Sequence, residues 1–135
     1  MAEAQKYTVR AEIKGIDLTP RKVSVVASLV RGRKVADALV ILDHTPRRSA
    51  KPIAKAIASA QANATNNHGL DAKSLVISTL SVTAGPRLKR FKPHMRGMAL
   101  PFEKKTSHIL VEVTGTEKPK KKPAAKPGTS KVEEK

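Results

Sequence analysis

Residues 85–105 hold seven basic side chains, Arg87, Lys89, Arg90, Lys92, Arg96, Lys104 and Lys105, against a single acid, Glu103. Leu88, Phe91, Met95, Met98, Leu100 and Phe102 are interleaved with them. Those residue types together suit folded nucleic acid. A guanidinium takes two phosphate oxygens at once and stacks on bases, and an aromatic ring can stack or anchor in a crevice. An anionic membrane is a poorer match, because it calls for a basic amphipathic helix with a bulky apolar face, and Gly85, Pro86, Pro93, Gly97 and Pro101 interrupt any helix here. Further cations stand earlier in the chain at Arg21, Lys22, Arg31, Arg33 and Lys34, and again at Arg47, Arg48 and Lys51. The last three fall at a predicted helix start, where they oppose the positive end of the helix dipole and where a bound anion would relieve them. With a net charge of +16 over 135 residues, a dense polyanion is the natural partner, since each neutralised phosphate releases condensed counterions.

Catalysis is excluded more simply. There is no cysteine, so disulfides, thiolate zinc sites and cysteine nucleophiles are all absent. His44, His68, His94 and His108 have no metal-ligand spacing, and Asp17, Asp37, Asp43 and Asp71 form no carboxylate pair. No phosphate-binding glycine loop, dinucleotide fingerprint, zinc helix or nucleophile elbow occurs. Asn63-Ala64-Thr65 fits a glycosylation pattern but lies in a predicted helix, and the start of the chain has no apolar export segment. The expectation is a cytoplasmic protein with no cofactor, no metal and no enzymatic activity.

The elements that would position these cations follow from periodicity. Tyr7, Val9, Ala11 and Ile13 alternate with polar residues as a half-buried strand, which Gly15 is expected to end. Thr19-Pro20 opens a first helix whose buried stripe is Val23, Val26, Ala27 and Val30, with Gly32 stopping it. Val35, Ala38, Leu39 and Leu42 write a second, short helix that Thr45-Pro46 closes while opening the next. From about Ser49 to Asn66 an alanine-rich helix carries Ile53, Ile57, Ala60 and Ala64 on one side, and its small side chains allow close packing. Residues 74–83 and 106–113 are β-branched strands. The roughly twenty residues between them far exceed an ordinary hairpin loop, so they are read as an extended ribbon reaching about 30 Å beyond the domain at ~3.3 Å per residue. One domain is expected over 1–116, with a Lys/Pro-rich, disordered tail over 117–135.

The run Gly85-Pro86-Arg87-Leu88-Lys89-Arg90-Phe91-Lys92-Pro93, then Arg96-Gly97, then Lys104-Lys105-Thr106-Ser107-His108-Ile109, resembles the family of large ribosomal subunit protein twenty-two. Arg21-Lys22-Val23, Leu29-Val30-Arg31-Gly32-Arg33-Lys34-Val35, Ala38-Leu39 and Ala62-Asn63-Ala64 through Asn67 agree with it in order and spacing. The resemblance spans about residues 10–114. It implies an α+β fold, three helices packed on a three-stranded antiparallel sheet, with a long protruding β-hairpin. It also implies a structural role in the large subunit, as a monomer within a bacterial-type ribosome, beside neighbouring large-subunit proteins at the peptide tunnel. Carried over by position, Arg21, Lys22, Arg31, Arg33, Lys34, Arg47, Arg48, Lys51, Arg87, Lys89, Arg90, Lys92, Lys104, Lys105, Ser107 and His108 would meet ribosomal RNA. His94, Met95, Arg96, Gly97 and Met98 would form a tip facing the nascent peptide. The family often has Arg where this chain has His94 and Met98, which lowers the tip's charge.

The competing expectation is a DNA-binding or nucleoid-packaging protein, motivated by the Lys-Pro-Ala-Ala-Lys tail and the short helices.

Overall fold

The chain is described here from a computed structural model over residues 7–117, so the expected tail beyond Glu117 lies outside the described residues. Strand β1 (Tyr7–Ile16) is followed by helices α1 (Pro20–Val30), α2 (Val35–Asp43) and α3 (Ala50–Asn66). Two long strands complete the chain, β2 (Val76–Pro93) and β3 (Ala99–Gly115), separated by a single 3-10 turn at Met95–Gly97. The sheet order is β1-β3-β2 and both pairings are antiparallel. The architecture is the expected one, three helices on a three-stranded antiparallel sheet with a long hairpin.

One face of the sheet is apolar because every second residue faces it. Val9, Ala11, Ile77, Leu80, Ile109, Val111 and Val113 are buried there, with Val9 opposite Val113, Ala11 opposite Val111 and Ile77 opposite Val113. The helices cover this face alone: α3 packs on β1 and β3, α1 on β2, and α2 on α3. In α1 the stripe is Val23, Val26, Ala27 and Val30, as its periodicity predicts. In α3 the buried set is Ala50, Ile53, Ala56, Ile57, Ala60 and Ala64, so four of six inward side chains are alanine and the helix axis can lie close to the sheet. Pro52 sits in the first turn of α3, where its missing N–H leaves no bond unmade.

Several boundaries differ from expectation, each for a local reason. Gly15 does not end β1. It adopts a left-handed φ of 71° and the strand runs on to Ile16. Ile13 faces Ile109 while Ile16 faces Ser107, so β1 carries one extra residue there, a bulge. Strand β2 bulges twice, between Ile77 and Thr79 and between Ala84 and Arg87. Ser78 Oγ donates to the Glu112 carbonyl at 3.0 Å beside the first of these. Thr45-Pro46 does not open α3; Thr45 Oγ1 turns back to the Ile41 carbonyl at 2.6 Å, and α3 begins at Ala50. Glu117, assigned above to the tail, bridges to Leu70, and the Thr116 carbonyl accepts the Asp71 N–H at 3.0 Å.

Ser107 requires a correction. Its side chain is fully buried on the core face, and its Oγ has no hydrogen-bond partner among the described residues. It therefore presents no atom to a nucleic acid. Two outcomes follow. Ser107→Ala removes an unsatisfied buried hydroxyl and should raise stability by up to about 1 kcal/mol, measured by urea unfolding, with RNA binding unchanged. Ala60→Leu overfills the buried side of α3, where Ala60 is fully buried, and should lower stability by about 1–3 kcal/mol in the same measurement.

Candidate nucleic-acid interface

The hairpin beyond the sheet is seven residue pairs long, from Arg87 opposite Lys105 to Pro93 opposite Ala99, about 20 Å at ~3.3 Å per residue. The register divides its side chains between two faces. Arg87, Lys89, Phe91 and Pro93 share one with Lys105, Glu103, Pro101 and Ala99, which continues the apolar face of the sheet past the point where the helices stop. The other holds Leu88, Arg90, Lys92, Leu100, Phe102 and Lys104. No helix covers either one, and every residue from 86 to 105 is exposed. Phe91 stands out at 75% exposure, opposite Pro101. Phe102 is occupied differently, with the Lys92 ammonium 5.1 Å from its ring centroid.

The arm's few counter-charges sit near its base. Arg87 Nη1 lies 3.4 Å from Glu103 Oε2, and Lys104 Nζ lies 2.9 Å from Asp17 Oδ2. Lys89, Arg90, Lys92, Arg96 and Lys105 have no carboxylate within ion-pair distance among the described residues. At the tip, the His94 N–H donates to the Met98 carbonyl at 2.7 Å and closes the turn. Arg96 takes φ 57°, ψ 31° and Gly97 φ 72°, two successive left-handed residues. Glycine enters that region freely, whereas an arginine there is strained. His94, Met95, Arg96, Gly97 and Met98 are all exposed, as a tip requires.

On the body, the folded chain joins cations that the sequence keeps apart. A cleft of about 430 Å³ between the starts of α1 and α3 is lined by Arg21, Lys22, Arg47 and Arg48, with Leu18, Val25 and Ser49 among the rest. A second cleft, about 400 Å³, lies where the start of α1 meets the hairpin base, and Arg21, Arg87 and Lys105 line it with Thr19 and Thr106. Lys51 shares a groove along α2 and α3 with Arg47 and Arg48. Arg21 belongs to both of the first two clefts, so the cations form one track from Lys51 through Arg47, Arg48, Lys22 and Arg21 to Arg87 and Lys105 and out along the arm. Neither α1 nor α3 has an acidic residue in its first turn or a side-chain cap on its N-cap residue, Thr19 or Ser49. Both helices therefore add their positive ends to the track.

Arg31, Arg33 and Lys34 lie elsewhere, at the far end of α1, about 16 Å away for an 11-residue helix. Arg31 Nε donates to the Leu80 carbonyl at 2.9 Å and Arg33 Nε to the Leu29 carbonyl at 2.8 Å, while Lys34 bridges to Val76. These residues are exposed, but Arg31 and Lys34 also fasten α1 to β2, as does the Arg33 carbonyl, which accepts the Ile77 N–H at 3.0 Å, while the Arg33 side chain bonds back to α1. His108 is half-buried, and its Nδ1 accepts the Gly15 N–H at 2.9 Å. No cluster of three His, Asp or Glu side chains that could hold a metal occurs among the described residues. No helix among them is long and apolar enough to cross a membrane.

Sequence reasoning missed the α1 contact with the hairpin base. Arg21 and Arg87 are far apart in the chain, and only the folded sheet brings them to one cleft. It also missed the pairing of His108 with Gly15, for which the sole signal was a glycine inside an alternating pattern.

Comparison with known proteins agrees with this geometry. Residues 11–114 match the model of the family described as ribosomal protein L22p/L17e. The chain is 44% identical over 112 residues to the large ribosomal subunit protein uL22 of Metamycoplasma hominis, covering 83% of this chain and 87% of that protein. A match that takes in most of the sheet, all three helices and the whole hairpin leaves one conclusion: this chain belongs to the ribosomal protein L22p/L17e family, a family of ribosomal proteins and not of enzymes.

Proposed function

We propose that this protein is a structural constituent of the large ribosomal subunit of a bacterial-type ribosome in the cytoplasm. In this reading it is a single domain over 1–116 that binds large-subunit RNA with its body and threads its hairpin inward along the nascent-peptide tunnel. The observation that carries the proposal is the unbroken cationic track from the body to an arm that has no core of its own. A free arm of this kind gains nothing from burial and repels itself, whereas RNA folded around it supplies both phosphate charge and base surface. Arg21, Lys22, Arg47, Arg48, Lys51, Arg87 and Lys105 then meet the RNA backbone where the body enters. Lys89, Arg90, Lys92 and Lys104 meet phosphates along the arm, and exposed Phe91 offers a ring for an unpaired base. Arg31, Arg33 and Lys34 make a second, smaller RNA contact at the opposite end of α1. The tip, His94 through Met98, faces the nascent peptide beside neighbouring large-subunit proteins.

Two measurements test this. Binding to isolated large-subunit RNA should weaken steeply with salt. Removing three cations in the Arg21→Ala, Arg87→Ala, Lys105→Ala variant should lower the slope of log affinity against log salt by about 2–3. An unchanged slope, or equal affinity of the natural chain for duplex DNA at matched salt, contradicts the proposal. At the tip, Arg96→Ala with Met98→Ala should alter elongation pauses on stalling peptides while ribosome assembly stays intact. Identical pausing on every such peptide removes the nascent chain from the list of partners.

A further inference from the structure

At one level of the sheet, both outer strands break register against the same stretch of β3. On one side β1 carries its extra residue between Ile13 and Ile16, and on the other β2 carries one between Ala84 and Arg87. Ile16 and Ala84 both face Ser107. A bulge bends its strand and interrupts the ladder, leaving backbone groups to find other partners. Here β3 side chains supply them. His108 Nδ1 accepts the Gly15 N–H at 2.9 Å, and Thr106 Oγ1 donates to the Pro86 carbonyl at 2.7 Å. Thr106 and His108 alternate with buried Ser107 and Ile109, so they lie on the face away from the helices.

Gly85 sits between them with no room to spare. A Cβ on it would stand 2.5 Å from Thr106 Oγ1 and 3.1 and 3.2 Å from the His108 ring. Lys104, paired with Asp17 just past the end of β1, ties the same stretch of β3 to the chain leading into α1. On the core face Ser107 is the last buried side chain of β3 before Lys105, which is exposed. This level is therefore where a helix-backed sheet ends and an uncovered two-stranded ribbon begins.

We infer that Gly15, Gly85, Thr106 and His108 form a joint that fixes the direction in which the hairpin leaves the body. Thr106 and His108 are positioning residues that act on RNA through the arm's aim and not by touching RNA. Beyond the joint no third layer restrains the ribbon, so its angle is set here. A rotation of about 15° would carry a tip ~20 Å away through about 5 Å, a distance comparable with the spacing of neighbouring strands. It would also separate Arg87 and Lys105 from Arg21, and so break the cationic track where the body meets the arm.

The joint is tested in the free, full-length protein. The chain has no cysteine, so Ser59→Cys on α3 and Met98→Cys at the tip give one spin-label pair for distance measurement by electron resonance. The natural joint should give a single narrow distance peak. Thr106→Val combined with His108→Leu should at least double its width or move its mean by about 5 Å, the displacement the lever above predicts. Thr106→Ser, which keeps the donor, should leave it alone. Gly85→Ala should also displace it, and decides the matter if the double variant fails to fold. In the natural chain, nitrogen correlation spectra of His108 should place the ring proton on Nε2, since Nδ1 is an acceptor. Unchanged distances in the folded double variant, or in Gly85→Ala if the double variant does not fold, overturn the joint.

The consequence for binding rests on the function proposed above and has its own readout. On large-subunit RNA, crosslinks from Arg21 should persist in the double variant while those from the tip are displaced. If the natural chain gave no crosslinks at all, the RNA reading would fall, and the joint would still be judged on the distances.

Discussion

The structure depends on β3 serving two purposes along one length. From Ser107 to Gly115 every second residue is buried and the strand is the middle of the sheet, held by β1 on one side and β2 on the other. From Ala99 to Lys105 the same strand has one neighbour and no covering layer, and every residue is exposed. The apolar alternation that drives burial stops at Ser107. Beyond it the core-facing positions become Lys105, Glu103, Pro101 and Ala99, which give a core nothing to pack. The extent of the body is thus set by where the inward side chains cease to be apolar, and the extent of the arm by how far strand pairing continues without them.

That division explains which parts of the molecule were legible in its sequence. Helix α1 was legible to the residue because Val23, Val26, Ala27 and Val30 repeat at the helical period and nothing tertiary competes with them. The buried side of α3 was legible for the same reason, and so was the ribbon, since some twenty residues between two β-branched runs exceed any turn a compact domain uses. The bulges were not. A bulge changes the count on one strand relative to another, and only the partner reveals it. Gly15 looked like a strand end because left-handed glycine ends strands and also bulges them. Ser107 and His108 were grouped with the cations before them as RNA contacts because they adjoin them in sequence. Alternation separates them: Ser107 turns into the core, and its neighbours turn to Gly15 and Gly85. The track through Arg21 to Arg87 was invisible for a similar reason, being a property of two elements that meet only after folding.

The charge along the hairpin is paired only near its base. Among the described residues the carboxylates that engage the arm are Asp17 and Glu103, with Lys104 and Arg87. Exposed pairs of this kind contribute at most about 1 kcal/mol and weaken with salt, so an incoming phosphate can replace either partner. Toward the tip, Lys89, Arg90, Lys92 and Arg96 meet no acid among the described residues, and Lys92 rests instead over the Phe102 ring. Among the described residues, cations without a carboxylate therefore run from Arg21 on the body and Lys105 at the base to Arg96 at the tip, and their fields add along that whole length. They form one continuous surface only while the arm leaves the body at an angle that keeps Arg87 and Lys105 beside Arg21, the three that line one cleft. The rigidity of the base and the field of the arm are then two parts of one requirement.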